Sequence, residues 1–242
     1  MPVAHAPLHF DGPMVAGGLG YPVDETLSSP RPATFSSGVE WIDQLTGGIE
    51  PGSVWTVSGP AGVGVTAFVR RLAVAAAQSS SVILANGHVP TRHLARMVAH
   101  DARTHQDADH SRLPQVASWL PLPTLGSDAW DDACRATDVV VLDTWDEMWR
   151  PGDWARSREE RIADARWLRE LARSAHTAVV LTARLPRTGT EAPHLTEDVF
   201  GDVADVQVSI DQEPDSPWRR ATVHARGIGS SSERLPHAAG AP

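Results

Sequence analysis

The sequence predicts an α/β fold in which a mainly parallel central sheet carries helices on both faces. Three observations lead there. Residues 53–78 run from a short β-branched strand (Ser53-Val54-Trp55-Thr56-Val57-Ser58) through a glycine-containing loop into an alanine-rich stretch from Ala67 to Ala77, a strand former followed by a helix former. Asp138-Val139-Val140-Val141-Leu142-Asp143 is an unbroken apolar run closed by an acid, the pattern of a strand buried on both faces of a parallel sheet. Strand-like and helix-like segments then alternate along the rest of the chain, as crossover connections require.

With 242 residues and 41% hydrophobic residues, the chain can bury one substantial core. Its organisation reads as a Pro/Gly-rich flexible arm over residues 1–33, one domain over 34–228 and a disordered tail over 229–242. A net charge of -9 argues against a broad nucleic-acid-coating surface, though a local basic channel remains compatible with it. All 21 basic residues are arginine, as a GC-rich genome would favour. The lone Cys134 excludes a disulfide framework and fits a reducing compartment. No apolar run approaches the ~20 residues of a membrane helix, and no signal pattern opens the chain. A cytoplasmic protein with no membrane partner is expected.

In chain order, residues 37–52 predict a short helix, a stop at Gly47-Gly48 and a turn at Pro51-Gly52 into the first strand. A second strand over 81–86 precedes Gly87-His88-Val89 and a helix with Pro90 in its first turn. Leu94, Met97 and Val98 form that helix's apolar stripe, and Asp101 falls next on the same face. A strand over 116–120 and a helix over 127–136 follow, the latter with Ser127 as a capping residue. Beyond Asp143 comes a loop rich in Trp and Arg (Trp145, Trp149, Arg150, Trp154, Arg156), then a helix over 158–174 and a strand over 178–182. Strands over 204–210 and 220–225, around the turn Glu213-Pro214-Asp215-Ser216, close the pattern.

The loop Gly59-Pro60-Ala61-Gly62-Val63-Gly64-Val65-Thr66 has phosphate-loop spacing: a glycine, four residues, Gly64, one residue and a threonine. Such a loop turns backbone N–H groups toward phosphates at a helix N-terminus, where partial positive charge favours an anion. Thr66 could ligate Mg²⁺ and Asp143 could hold the ion's water shell. Val65, however, occupies the position of the phosphate lysine. That loss removes a charge-assisted contact of about 1.5–3 kcal/mol, hence roughly 10- to 100-fold in affinity. Two readings stand: a weakened nucleotide site, or an inherited strand-to-helix turn that binds nothing tightly. The histidines at 88, 93, 100, 105 and 110 lack metal-site spacing and read as scattered surface polarity.

Several stretches together resemble the motor domain of DnaB-type hexameric replicative helicases, a branch of the RecA-like P-loop NTPases. They are Gly38 to Gly52 leading into the loop, Val139 to Met148 with Asp143 as metal-linked acid, and Arg161 to Arg187. Val203-Ala204-Asp205-Val206 and the hairpin Thr222 to Gly229 complete the set. The resemblance covers roughly residues 34–230. It implies a RecA-like three-layer fold, ATP and Mg²⁺ as cofactors, single-stranded DNA and further copies of the chain as partners, and a place in DNA replication or repair. It also puts Arg226 where the family has an arginine reaching a neighbour's nucleotide. Four chemical positions depart. Val65 replaces lysine, His88 stands at the water-activating glutamate, Arg184 at the glutamine sensor, and His224 at a basic residue beside Arg226.

A missing general base is worth about 10²–10⁴ in rate. His88 could act as one near neutral pH or could simply face solvent. Arg184 could return positive charge to a γ-phosphate or be a strand-end surface arginine. The Trp/Arg loop could stack single-stranded bases or cover core edges. Weighed together, these residues predict weak or lost ATP and Mg²⁺ binding, impaired hydrolysis and a role as adaptor or regulator in replication or repair. An active ATP-dependent DNA helicase and a protein-interaction scaffold without nucleotide are the alternatives. The resemblance also places the strand ending at Asp143 beside the strand ending at Ser58, both delivering their carboxyl ends to one crevice.

Overall fold

Strand β1 (Val54–Pro60) lies inside an eight-stranded sheet of order β3-β2-β4-β5-β1-β6-β7-β8. The computed structural model describes residues 34–86, 89–104, 109, 111–118, 132, 134–143, 158–185, 201, 203–213 and 218–235. The proposed arm over 1–33, His88, the Trp/Arg loop and most of the helix over 127–136 lie outside the described residues.

Helix α1 (Glu40–Thr46) precedes β1 and stops where Gly47 turns left-handed, its N–H reaching the Asp43 carbonyl. Asp43 also accepts from the Ser37 N–H at 2.9 Å and the Ser36 hydroxyl at 2.7 Å, which fixes the approach to the helix. After β1 the order is α2 (Val65–Ala76), β2 (Val82–Asn86), α3 (Thr91–Thr104), β3 (Gln115–Ser118), β4 (Val139–Asp143), α4 (Arg158–Ala175), β5 (Ala178–Leu185), β6 (Val206–Gln212), β7 (Arg219–Ala225) and β8 (Gly229–Leu235).

The period of two in the strands builds two cores. Val139, Val141, Ala178, Val180, Trp55 and Val57 face the side of α1, α2 and α3. Val140, Leu142, Val179, Leu181 and Val54 face the other side, with Ala165, Leu168, Leu171 and Ala172 of α4. Apolar side chains on both faces explain why these strands read as continuous runs. The parallel ladders β2·β3, β2·β4, β4·β5, β5·β1 and β1·β6 are followed by an antiparallel β6–β7–β8 meander. The expected α/β three-layer, mainly parallel architecture is therefore present. Between α2 and α3, Arg70 and Asp101 form a buried ion pair at 2.7 Å, so the acid on the α3 stripe faces inward with a partner.

Two expectations are corrected. The strand ending at Asp143 is not beside the strand ending at Ser58: β5 lies between them, pairing Val179 with Val54 and with Val140. All three strands are apolar runs of similar length, and nothing local distinguishes which two are neighbours. Residues 229–235 are not part of a disordered tail; they pair along β7 from Gly229 to Leu235. This edge strand is exposed at six of its seven positions, so backbone hydrogen bonds hold it without the apolar signature that marks a buried strand.

Candidate phosphate-loop site

The end of β2, strand β5 and the start of α2 converge on the side chain that closes β4, Asp143, which is 1% exposed. Its Oδ1 accepts from the Thr182 hydroxyl at 2.9 Å and from the Thr66 hydroxyl at 3.3 Å. Its Oδ2 accepts from the Asn86 amide at 2.6 Å. Asn86 Oδ1 in turn accepts the Val89 N–H at 2.7 Å, which fixes the amide's orientation and ties the loop after β2 to the same cluster. The expected meeting of Thr66 and Asp143 in one crevice is thus present, although a whole strand separates β1 from β4.

The loop itself is formed as its glycines require. Gly62 and Gly64 have φ of 88° and 100°, the left-handed region open to glycine. Gly59 is packed tightly: a Cβ there would stand 2.5 Å from the Ile210 carbonyl and 2.7 Å from Val63. Gly64 begins α2 without any side-chain cap, so backbone N–H groups face the loop unclaimed by a capping residue. Pro60, Ala61 and Val63 complete the turn, closed by a 3.2 Å bond from the Val63 N–H to the Pro60 carbonyl. Val65 packs against the larger core, placing methyl groups at the position where the phosphate-loop pattern has lysine.

Arg184 is the β5 residue in register with Gly59. That puts its backbone at the loop end of the sheet, on a strand that runs to Leu185 and so past its expected end at Thr182. His88 lies outside the described residues. Arg226 is not at this site. Its neighbour Ala225 pairs with Val206, which pairs with Trp55, so Arg226 sits at the amino end of β1, roughly 15–20 Å from the loop at ~3.3 Å per residue. There it donates to the Gly201 carbonyl at 2.9 Å. His224 is exposed on β7. Asp205, just before β6, accepts from the Val54 N–H at 2.9 Å and from Arg169 at 3.0 Å, fastening β1 to β6 and α4.

The sequence singles out neither Asn86, Thr182 nor Arg219. Arg219 is 9% exposed and donates to the Val63 carbonyl at 2.8 Å, while its guanidinium fills the space a Cβ on Gly64 would need. Burial first, then the charge of Arg71, lowers its pKa; an arginine stays charged near neutrality nonetheless. The alternation of β7, with Arg219, Ala221, Val223 and Ala225 inward, was the available signal for it.

The donor set fits Mg²⁺ with a phosphate. A threonine hydroxyl and a carboxylate that hydrogen-bonds it are hard oxygen groups of the kind this ion takes directly or through water. Left-handed glycines at an uncapped helix start suit the anion. The position that would bring a lysine charge does not fit, because Val65 supplies none.

No protein-family model and no curated protein matches the sequence. Solved structures match its fold. A DnaB-like replicative helicase, solved to describe also its interactions with primase, superposes at a TM-score of 0.68 with 15% identity over 88% of this chain. A second solved structure, described as an ATPase domain, superposes at 0.66 with 12% identity, covering 88% of this chain and 91% of that one. The chain spans 64% of the length of the first of these proteins. At such identities the likeness establishes the fold: this is the RecA-like fold of DnaB-type helicase ATPase domains. Among the described residues no helix is long and apolar enough to cross a membrane.

Proposed function

We propose that this chain is a RecA-fold adaptor or regulator in DNA replication or repair whose loop binds Mg·ATP weakly and hydrolyses it negligibly. One observation carries the reading. The Thr66 hydroxyl meets the buried Asp143 carboxylate at 3.3 Å beside a correctly turned loop, while Val65 offers only methyl groups to the core. Phosphate positioning is retained and charge neutralisation is reduced, and phosphoryl transfer depends on both. When bound, Mg²⁺ would supply part of that neutralisation; Thr66 and Asp143 would hold it, and the loop N–H groups would orient the phosphates. The link to replication or repair rests on fold analogy, with a structural neighbour described together with primase. The position of Arg226 favours a homo-oligomer. Standing at the far end of β1, it can serve a nucleotide only on another copy.

Calorimetry with ATP, with and without Mg²⁺, followed by an ATPase assay with single-stranded DNA, tests this. Weak Mg²⁺-dependent binding with turnover far below the ordinary ~1–10³ s⁻¹ range is expected, and turnover within that range would overturn the reading. Sedimentation velocity at increasing concentration, with Arg226→Ala alongside, tests the assembly.

A further inference from the structure

We infer that Arg219 is the positioning residue of the phosphate loop: its grip on the Val63 carbonyl sets the direction of the Gly64 N–H. The carbonyl of Val63 and the N–H of Gly64 belong to one peptide plane. In a trans peptide the two point in opposite directions. Anchoring the oxygen on Arg219 Nη1 at 2.8 Å therefore turns the N–H away from the guanidinium. Arg219 and Gly64 line a groove of about 540 Å³ together with Phe68, Arg71 and Ile210, and neither Thr66 nor Asp143 lines it. The Gly64 N–H is thus turned away from the Arg219 wall of that groove. Among the described residues no carbonyl accepts it.

The opposite setting of this peptide would present a carbonyl oxygen to any phosphate. That is a repulsion where an attraction is needed, and glycine at 64 leaves the backbone free to adopt either setting. Glycine is also what admits Arg219, since any Cβ at 64 would collide with the guanidinium. The brace comes from β7, the outer antiparallel part of the sheet, and it brings a buried positive charge close to a loop whose own lysine position is Val65. It orients the backbone and adds positive potential from behind the loop.

The ligand in this inference rests on the phosphate-loop reading above; the brace itself does not. The test uses the full chain as parent, Arg219→Met, which keeps length and removes the donors, and Arg219→Lys, which keeps a donor and the charge. Each is made with and without Val65→Lys. Amide hydrogen exchange is read at Val63, bonded to the Pro60 carbonyl, and at Phe68, bonded to the Gly64 carbonyl. Mg·ATP affinity is read by calorimetry. Arg219→Met should raise exchange at these two amides about tenfold while β1 stays protected, and should weaken Mg·ATP about tenfold in the Val65→Lys background. Arg219→Lys should recover part of both. Unchanged loop exchange in Arg219→Met, or exchange raised equally across β6 and β7, overturns the inference. If Val65→Lys binds no Mg·ATP but loop exchange responds as stated, the nucleotide reading fails and the positioning role stands.

Discussion

An aspartate marks each end of the parallel sheet, Asp205 where β1 begins and Asp143 where β4 ends, and the described partners of the two differ. At the amino end Asp205 takes the Val54 N–H and the Arg169 guanidinium. A charge meets a charge, and the result fastens strand to strand and helix to sheet. At the carboxyl end Asp143 is more deeply buried, and its described donors are two hydroxyls and an amide. Those three groups fix the carboxylate's direction. The first arrangement suits anchoring; the second is the one on which the proposed Mg²⁺ site rests. At one end of the sheet the acid joins strand to strand and helix to sheet; at the other it meets the hydroxyl of the loop threonine.

The sharpest way to break this comparison is at Asp205. Asp205→Ala leaves Arg169 and the Val54 N–H without their shared acceptor, and hydrogen bonds to a charged group are worth about 1.5–3 kcal/mol each. Partial exposure of the Arg169–Asp205 pair weakens its share, so a loss of roughly 2–4 kcal/mol in urea unfolding is expected, with Mg·ATP affinity unchanged in whatever fraction stays folded. If affinity falls and stability does not, the division between the two ends is wrong.

Val65→Lys acts at the other end and should reverse the pattern. Restoring the charge is expected to tighten Mg·ATP by about 10- to 100-fold, or roughly 1.5–3 kcal/mol, with turnover still negligible. Calorimetry beside a steady-state ATPase assay reads both. Unchanged binding would mean that the loop is only a turn.

Gly59→Ala asks whether the loop end tolerates any bulk. Its Cβ would press on the Ile210 carbonyl and Val63, an overpacking cost of about 1–3 kcal/mol. Chemical denaturation should show that loss, whereas Gly62→Ala meets no neighbouring atom and is strained only by its left-handed backbone. Equal tolerance at both glycines would contradict the packing described here.

The smallest effect is expected at Glu213, just past β6 at the loop end of the sheet. A hydrogen bond from Arg234, aided by one from Arg220 and opposed by burial, holds its carboxyl below the usual value of 4.5. A carboxylate depressed on folding stabilises above its unfolded pKa, and that contribution disappears as pH falls through the lower folded value. Urea midpoints for the parent and Glu213→Gln should therefore differ at about pH 6 and converge in acid below about 4.5. A constant difference across that range would count against the pairing.

The sequence by itself determined the fold class, most of the elements that make it and the turn that joins β1 to α2. Continuous apolar runs such as 138–143 require two covered faces, and glycines at 59, 62 and 64 before an alanine-rich run specify a strand-to-helix turn. Both signals lie in neighbouring residues, where propensity and period operate. Thr66 and Asp143 were legible for the same reason: each closes or follows an element with its own signature. The tertiary structure alone decided that β5 stands between their strands, because runs of equal hydrophobicity do not encode their neighbours. It also decided that 229–235 is a strand, since an exposed edge is held by backbone bonds to β7. Only the tertiary structure brought Asn86, Thr182 and Arg219 to the loop from three separate strands. Their contribution is a distance and a direction between residues far apart in the chain, and no local pattern specifies either.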